Sequence, residues 1–254
     1  MLEINEIFGP TIQGEGKLVG TPSIFIRFGK CNFKCEGFEV EYETPSGIKK
    51  CACDSYYAVD MAFRDTWTKY QSYEQIVNEV DKLISFCNYD YKIDIVITGG
   101  EPLLYWNQEE FQKLLKHYIN HGHKVTIETN ASLNLNFEYE YQKEILFSMS
   151  VKLSNSLEPL KKRVNKETLT KVLTNTKNSY LKFVIGKDFL EQAKIEIKNI
   201  INDIPKCDIY LMPMGDTSEQ INKNCEDVIK MAIENGYKYC DRLHIRVWDN
   251  KRGV

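Results

Sequence analysis

Short apolar runs alternate with longer segments of helical periodicity through most of the chain. The runs lie at 93–98, 124–129, 145–152, 180–185, 208–212 and 242–248, each of strand length. Between the first two, Asn107 followed by Glu110 reads as a capping-box start, with Phe111, Leu114, Leu115, Tyr118 and Ile119 on one face and Gly122 as the stop. Asp188 with Glu191 opens a further helix carrying Ile197, Ile200 and Ile201. Another runs from Thr217 to Asn235, with Ile221, Val228, Ile229, Ala232 and Ile233 inward and Gly236 after it. Upstream, Ser72 and Gln75 cap a helix bearing Ile76, Val80, Leu83 and Ile84. Strand–helix alternation predicts an α/β fold of parallel strands joined by crossover helices, either an open sheet or a barrel. No repeat, low-complexity tract or linker divides residues 1–254, which read as a single domain.

Residues 36–71 interrupt this rhythm. Glu39 to Glu43 alternate polar and apolar, Pro45-Ser46-Gly47 signals a turn, and Ile48 to Ala52 return as a second strand. Such a hairpin brings Cys51 and Cys53 back beside Cys35.

Composition narrows the possible chemistry. A formal net charge of −3 and a pI near 5.9 argue against a protein held mainly to nucleic-acid phosphates. No apolar run is long enough to span a bilayer and no signal-peptide layout opens the chain, so the expected setting is cytoplasmic. In that setting the 8 cysteines read as free thiols and metal ligands rather than a disulfide framework. Cys31 and Cys35 follow the apolar strand 22–28, and Cys51 and Cys53 come soon after. Their spacing suits either a closed four-cysteine zinc site or an iron–sulfur cluster held by three thiolates with one iron open. Cys87, Cys207, Cys225 and Cys240 read as core residues. His117, His121 and His123 read as solvated helix-end residues, and Lys161-Lys162-Arg163 as a solvated face.

The segment Thr98-Gly99-Gly100-Glu101-Pro102 favours the cluster. It closes the strand at 93–97, where ligand-binding loops of parallel α/β folds lie. Its two glycines permit close backbone approach to a ligand, and Glu101 adds a carboxylate. With the cysteine loop at the end of an earlier strand, the chain resembles the radical S-adenosylmethionine (SAM) superfamily. Within it, the chain is similar to the 7-carboxy-7-deazaguanine synthase family. The matching elements are Glu6-Ile7-Phe8, Thr11-Ile12-Gln13-Gly14-Glu15-Gly16, Pro22 to Arg27, Cys53-Asp54-Ser55, Ile127 to Asn130, Ser150-Val151-Lys152, Met212-Pro213-Met214 and His244.

This resemblance implies a modified partial β/α barrel, a 4Fe–4S cluster, SAM and Mg2+. It further implies radical ring contraction of 6-carboxy-5,6,7,8-tetrahydropterin to 7-carboxy-7-deazaguanine, with loss of ammonia, as a step of queuosine and 7-deazapurine biosynthesis. Cys31, Cys35 and Cys53 would hold the cluster, with Cys51 the competitor for the third place, and Ser55 the Mg2+. Ile12, Gln13, Gly14, Glu15, Arg27, Thr98 and His244 would meet the pterin, with Arg27 on its carboxylate. Gly99, Gly100, Glu101, Glu128, Ser150, Lys152 and the turn Met212-Pro213-Met214-Gly215 would surround SAM. A homodimer and an external electron donor complete the picture. The chain departs from the superfamily's common cysteine spacing, since position 38 is Phe38, and it continues for ten residues past His244. The rival readings are another radical SAM enzyme, such as a glycyl-radical activase, and a non-enzymatic zinc module using Cys31, Cys35, Cys51 and Cys53.

Overall fold

The computed structural model describes residues 1–85 and 92–253. In chain order its elements begin with strand β1 (Leu2–Ile12), β2 (Pro22–Phe28), the hairpin β3 (Val40–Glu43) and β4 (Lys49–Ala52), and the short helix α1 (Tyr56–Val59). There follow β5 (Thr68–Tyr70), α2 (Tyr73–Ile84), β6 (Asp94–Gly99), α3 (Glu109–Asn120), β7 (Lys124–Thr129) and β8 (Leu146–Ser150). The second half contains α4 (Leu160–Arg163), α5 (Lys166–Asn175), β9 (Tyr180–Ile185), α6 (Leu190–Ile201), β10 (Asp208–Pro213), α7 (Ser218–Asn235), β11 (Lys238–Tyr239) and α8 (Leu243–Trp248).

Nine strands form one sheet in the order β11-β10-β9-β8-β7-β6-β2-β1-β5. From β2 to β11 all neighbours are parallel, while β1 runs antiparallel to both β2 and β5. The parallel strands are apolar on both faces, as strands covered on both sides must be: Ile95, Val96, Ile97, Ile127, Phe147, Leu181, Phe183 and Leu211 are all fully buried. On α3, Phe111, Leu114, Leu115 and Tyr118 close over this core. Parallel strands set their C-terminal ends along one rim. Arg27 pairs with Thr98 across β2 and β6, Ile97 with Ile127, and Ser150 with Lys182. That rim receives the cysteine loop.

Several expectations change. The run at 242–248 is the helix α8, not a strand, and the last strand is the two-residue β11. Leu243, Ile245 and Val247 alternate as a strand would, but the backbone N–H of Leu243 is held by the Gly14 carbonyl at 2.9 Å and the segment turns across the rim. On α7 the inward face carries Ile221, Val228, Met231 and Ala232, leaving Ile229 and Ile233 exposed. Asn107 does not cap α3. Gln108 occupies that place, and the Glu110 carboxylate instead accepts the Tyr73 N–H at 2.9 Å, tying α3 to α2. Asp188 lies in a 3-10 turn that precedes α6. The 36–71 insertion is shorter than its span suggests: β3 and β4 stand outside the main sheet, but β5 joins its edge. The hairpin itself forms, with Val40 opposite Ala52 and Glu41 opposite Cys51. Cys240 is buried, Cys207 and Cys225 are half-buried, and Cys87 lies outside the described residues. His121 is exposed, whereas His117 and His123 are half-buried. Among the described residues no helix is long and apolar enough to cross a membrane.

Candidate active site

The cysteine loop is locked to the strand rim by its backbone. Gly100 donates its N–H to the Phe28 carbonyl at 3.0 Å and Glu101 to that of Lys30 at 2.8 Å. A Cβ on Gly100 would lie 2.0 Å from the Lys30 oxygen, and one on Gly99 2.1 Å from that of Phe28. The glycine pair therefore lets the end of β6 press against the chain entering Cys31. Glu101 turns inward. It is fully buried, and its carboxylate accepts from the N–H groups of Leu103 and Asn130 and from the Thr129 hydroxyl at 2.6–3.0 Å. This corrects the expectation of a ligand-facing carboxylate, because Glu101 ties the end of β6 to the end of β7.

Three thiols gather above this junction. Cys35 is buried, Cys31 and Cys53 are half-buried, and Cys51 is exposed. Strand alternation explains the last difference: Ala52 points inward on β4, so Cys51 points outward. Burial pushes the Cys35 thiol up to about 11 and that of Cys53 to about 12, and Cys31 is raised as well. The Cys53 and Cys35 thiolates add to the shift at Cys31, while Lys152 opposes it at Cys35 and Cys53. The three cysteines are a set of soft thiol donors of the kind that holds an iron–sulfur cluster. Lys152 donates to the Ser150 hydroxyl at 2.9 Å and stands over the Phe38 ring, bringing this pair to the thiols' side of the rim.

Beside the thiols, the Gln13-Gly14-Glu15-Gly16 loop is held residue by residue. Gln13 donates to one Glu128 oxygen at 3.2 Å, and Thr98 donates to the other at 2.8 Å. Any Cβ on Gly14 would lie 2.1 Å from His244 Nδ1. Glu15 pairs with Lys182 and, at 2.9 Å, with Arg242 Nε, while His244 Nε2 is 4.0 Å away. Gly16 donates its N–H to the Cys240 sulfur at 2.7 Å and packs against Tyr180. Burial raises the Glu15 pKa, but Lys182 and Arg242 outweigh it and hold the carboxyl well below the usual range. Burial lowers the His244 pKa, with Glu15 opposing. Ile12 ends β1 next to this loop, paired with Pro22.

Arg27 donates Nε to Glu6 at 2.7 Å, and its guanidinium carbon lies 5.9 Å from the Phe8 ring centre and 5.7 Å from that of Tyr57. Among the described residues neither Nη atom makes a hydrogen bond, which leaves the bidentate edge free for a carboxylate. Arg242 spans three elements: it bonds Glu15, Asp54 at 2.6 Å and the Gly215 carbonyl. It thereby links the turn after β10, including Met214 and Gly215, to the rim; Met212 and Pro213 are buried at the end of β10. Ser55 donates to the second Asp54 oxygen at 3.3 Å. Past α8 the chain returns, placing Arg252 3.9 Å from the Tyr57 ring centre.

Lys182, Arg242, Glu6 and Tyr57 were not singled out as site residues from sequence. Lys182 carried a signal, a lysine in the middle of the apolar run Tyr180–Ile185. Arg242 carried none beyond its nearness to His244.

Open parallel strands, a three-thiol loop at their rim and a glycine pair beneath it define a radical SAM enzyme with a 4Fe–4S cluster. Residues 12–177 match the family described as a 4Fe-4S single cluster domain. The chain is 31% identical to the 7-carboxy-7-deazaguanine synthase of Buchnera aphidicola subsp. Schizaphis graminum, covering 95% of each chain. With the synthase of Halobacterium salinarum the identity is 29%, covering 98% of this chain and 91% of the relative. QueE from Escherichia coli has the same fold, at a TM-score of 0.59 and 22% identity over 96% of this chain and 94% of that one. This chain belongs to the 7-carboxy-7-deazaguanine synthase family.

Proposed function

We propose that the chain converts 6-carboxy-5,6,7,8-tetrahydropterin to 7-carboxy-7-deazaguanine with loss of ammonia, using Cys31, Cys35 and Cys53 as cluster ligands. The observation that carries this reading is the free guanidinium edge of Arg27 on the same rim as the three inward thiols. When bound, the cluster and SAM supply a one-electron cleavage that generates a hydrogen-abstracting 5′-deoxyadenosyl radical. The chain's own residues bind and orient. Arg27 receives the substrate carboxylate, with its Nε fixed by Glu6. Lys182 and Arg242 keep Glu15 ionised, so the heterocycle meets a pre-oriented acceptor, while Gln13 and Thr98 fix Glu128, which belongs with the SAM side. His244, neutral near pH 7 because burial lowers its pKa, lies against Gly14 and lines the same loop.

The glycines 99 and 100, Ser150, Lys152 and the 212–215 turn form the SAM side of this reading. Ser55 Oγ, with Asp54 beside it, is the oxygen we assign to Mg2+. A homodimer, an external electron donor and a cytoplasmic setting belong to the same reading. Anaerobic purification should give brown protein with about four irons per chain, and reduction in the presence of SAM and carboxytetrahydropterin should yield the deazaguanine acid. An intact cluster that cleaves SAM but gives no such product would refute the substrate. Colourless protein with one tightly held zinc would favour the non-enzymatic alternative.

A further inference from the structure

In the basic run at 161–163, Lys161 and Lys162 are exposed as expected, but Arg163 turns inward and Lys162 reaches along the surface to a buried carboxylate. Arg163 is buried, donates to the Lys152 carbonyl at 2.9 Å and pairs with Glu196 at 2.8 Å. Lys162 pairs with Glu158 at 2.8 Å and stands 5.1 Å from the Phe33 ring centre. Glu158, whose side chain is only 7% exposed, directs its other oxygen at the cysteine loop. That oxygen accepts the N–H of Lys34 at 2.5 Å and of Cys35 at 3.2 Å. Cys35 has the left-handed backbone conformation, φ 51°, which a residue with a Cβ adopts only when its surroundings hold it there. A second contact fixes the same loop, since a Cβ on Gly37 would lie 2.1 Å from the Asn155 carbonyl oxygen.

We infer that Glu158 and Lys162 form a charged brace that positions Cys35 and sets the reduction potential of the cluster. The inference rests on the cluster assignment above. Two physical effects combine. The carboxylate takes the two N–H groups that would otherwise be free to turn toward cluster sulfur, and hydrogen bonds to the sulfurs raise the potential. It also places a negative charge beside a centre that gains an electron, which lowers the potential, while Lys162 partly cancels it. The two side chains therefore act with opposite sign.

Glu158→Gln keeps an acceptor oxygen but removes the charge, and Lys162→Met keeps the stem over Phe33 while removing the cation. Both variants are reconstituted, assayed for iron, and titrated by EPR-monitored redox potentiometry. The midpoint should move up in Glu158→Gln and down in Lys162→Met. In the cluster-free proteins, amide exchange at Lys34 and Cys35 should quicken in Glu158→Gln. If Glu158→Gln cannot hold four irons while Lys162→Met loads fully and shifts downward, the brace is still supported. A Lys162→Met midpoint equal to wild type, or shifts of one sign in both variants, overturns it. None of these readouts depends on which heterocycle is turned over, so failure of the substrate reading leaves them intact.

Discussion

Replacing Arg242 by Met should destabilise the cluster-free protein by about 2.5–5.5 kcal/mol, a sum of three unequal bonds. The bond to Glu15 lies between side chains 12% and 13% exposed, and a charge-assisted bond there contributes about 1.5–3 kcal/mol. Asp54 is 37% exposed, so its bond is screened and contributes at most about 1 kcal/mol. The Gly215 carbonyl adds about 1–1.5 kcal/mol. Glu15 keeps Lys182, so the variant avoids the larger cost of a buried unpaired charge. Urea unfolding at constant pH measures the difference. Its pH dependence gives a second check. The folded pKa values of Glu15 and Asp54 are depressed, so their contribution is complete above the ordinary carboxylate range and is lost as pH falls through the folded values. The gap between wild type and variant should therefore be widest above about pH 5 and narrow as pH falls further into the acid range. A loss below about 1 kcal/mol at neutral pH, or a gap that widens in acid, would refute the reasoning.

Cys53→Ala should lose iron and colour while Cys51→Ala keeps both, checked by iron analysis after anaerobic reconstitution; the reverse result would transfer the third ligand to the hairpin. Arg27→Gln should raise KM for the carboxylated pterin by roughly 10–100-fold while SAM cleavage without substrate stays unchanged, and steady-state kinetics separates the two. Gly100→Ala drives a Cβ into the Lys30 carbonyl and should lower stability by about 3 kcal/mol or more together with iron occupancy, read by thermal melting and iron assay.

Much of the sheet was legible because its strands are locally consistent. Runs such as Lys124–Thr129 and Tyr180–Ile185 are rich in β-branched or aromatic residues and follow closely on helix ends. The end of the chain was not, because Leu243-His244-Ile245-Arg246-Val247-Trp248 satisfies both a period of two and a short helix. Arg242 and the Gly14 carbonyl, contacts more than 200 residues apart in sequence, decide between them. Of the residues that a motif singled out, Glu15 and Arg27 lie on the strand rim. Glu101 was assigned the wrong direction, since a carboxylate after two glycines looks the same whether it faces a ligand or caps a turn. Glu158 was invisible for the same reason that it matters: its partners at Lys34 and Cys35 lie 124 and 123 positions away.

The span of Arg242 has a consequence for how the protein is made. Cys31, Cys35 and Cys53 leave the ribosome early, whereas Glu158 and then Arg242 follow much later. At about 5–20 residues per second, Arg242 is added roughly 10–40 s after Cys53. For the first part of that interval the three thiols belong to a nascent chain without Glu158, and for all of it to one without Arg242. The contacts that fix this loop, from Glu158 to Lys34 and Cys35 and from Arg242 to Asp54, therefore form only late in synthesis.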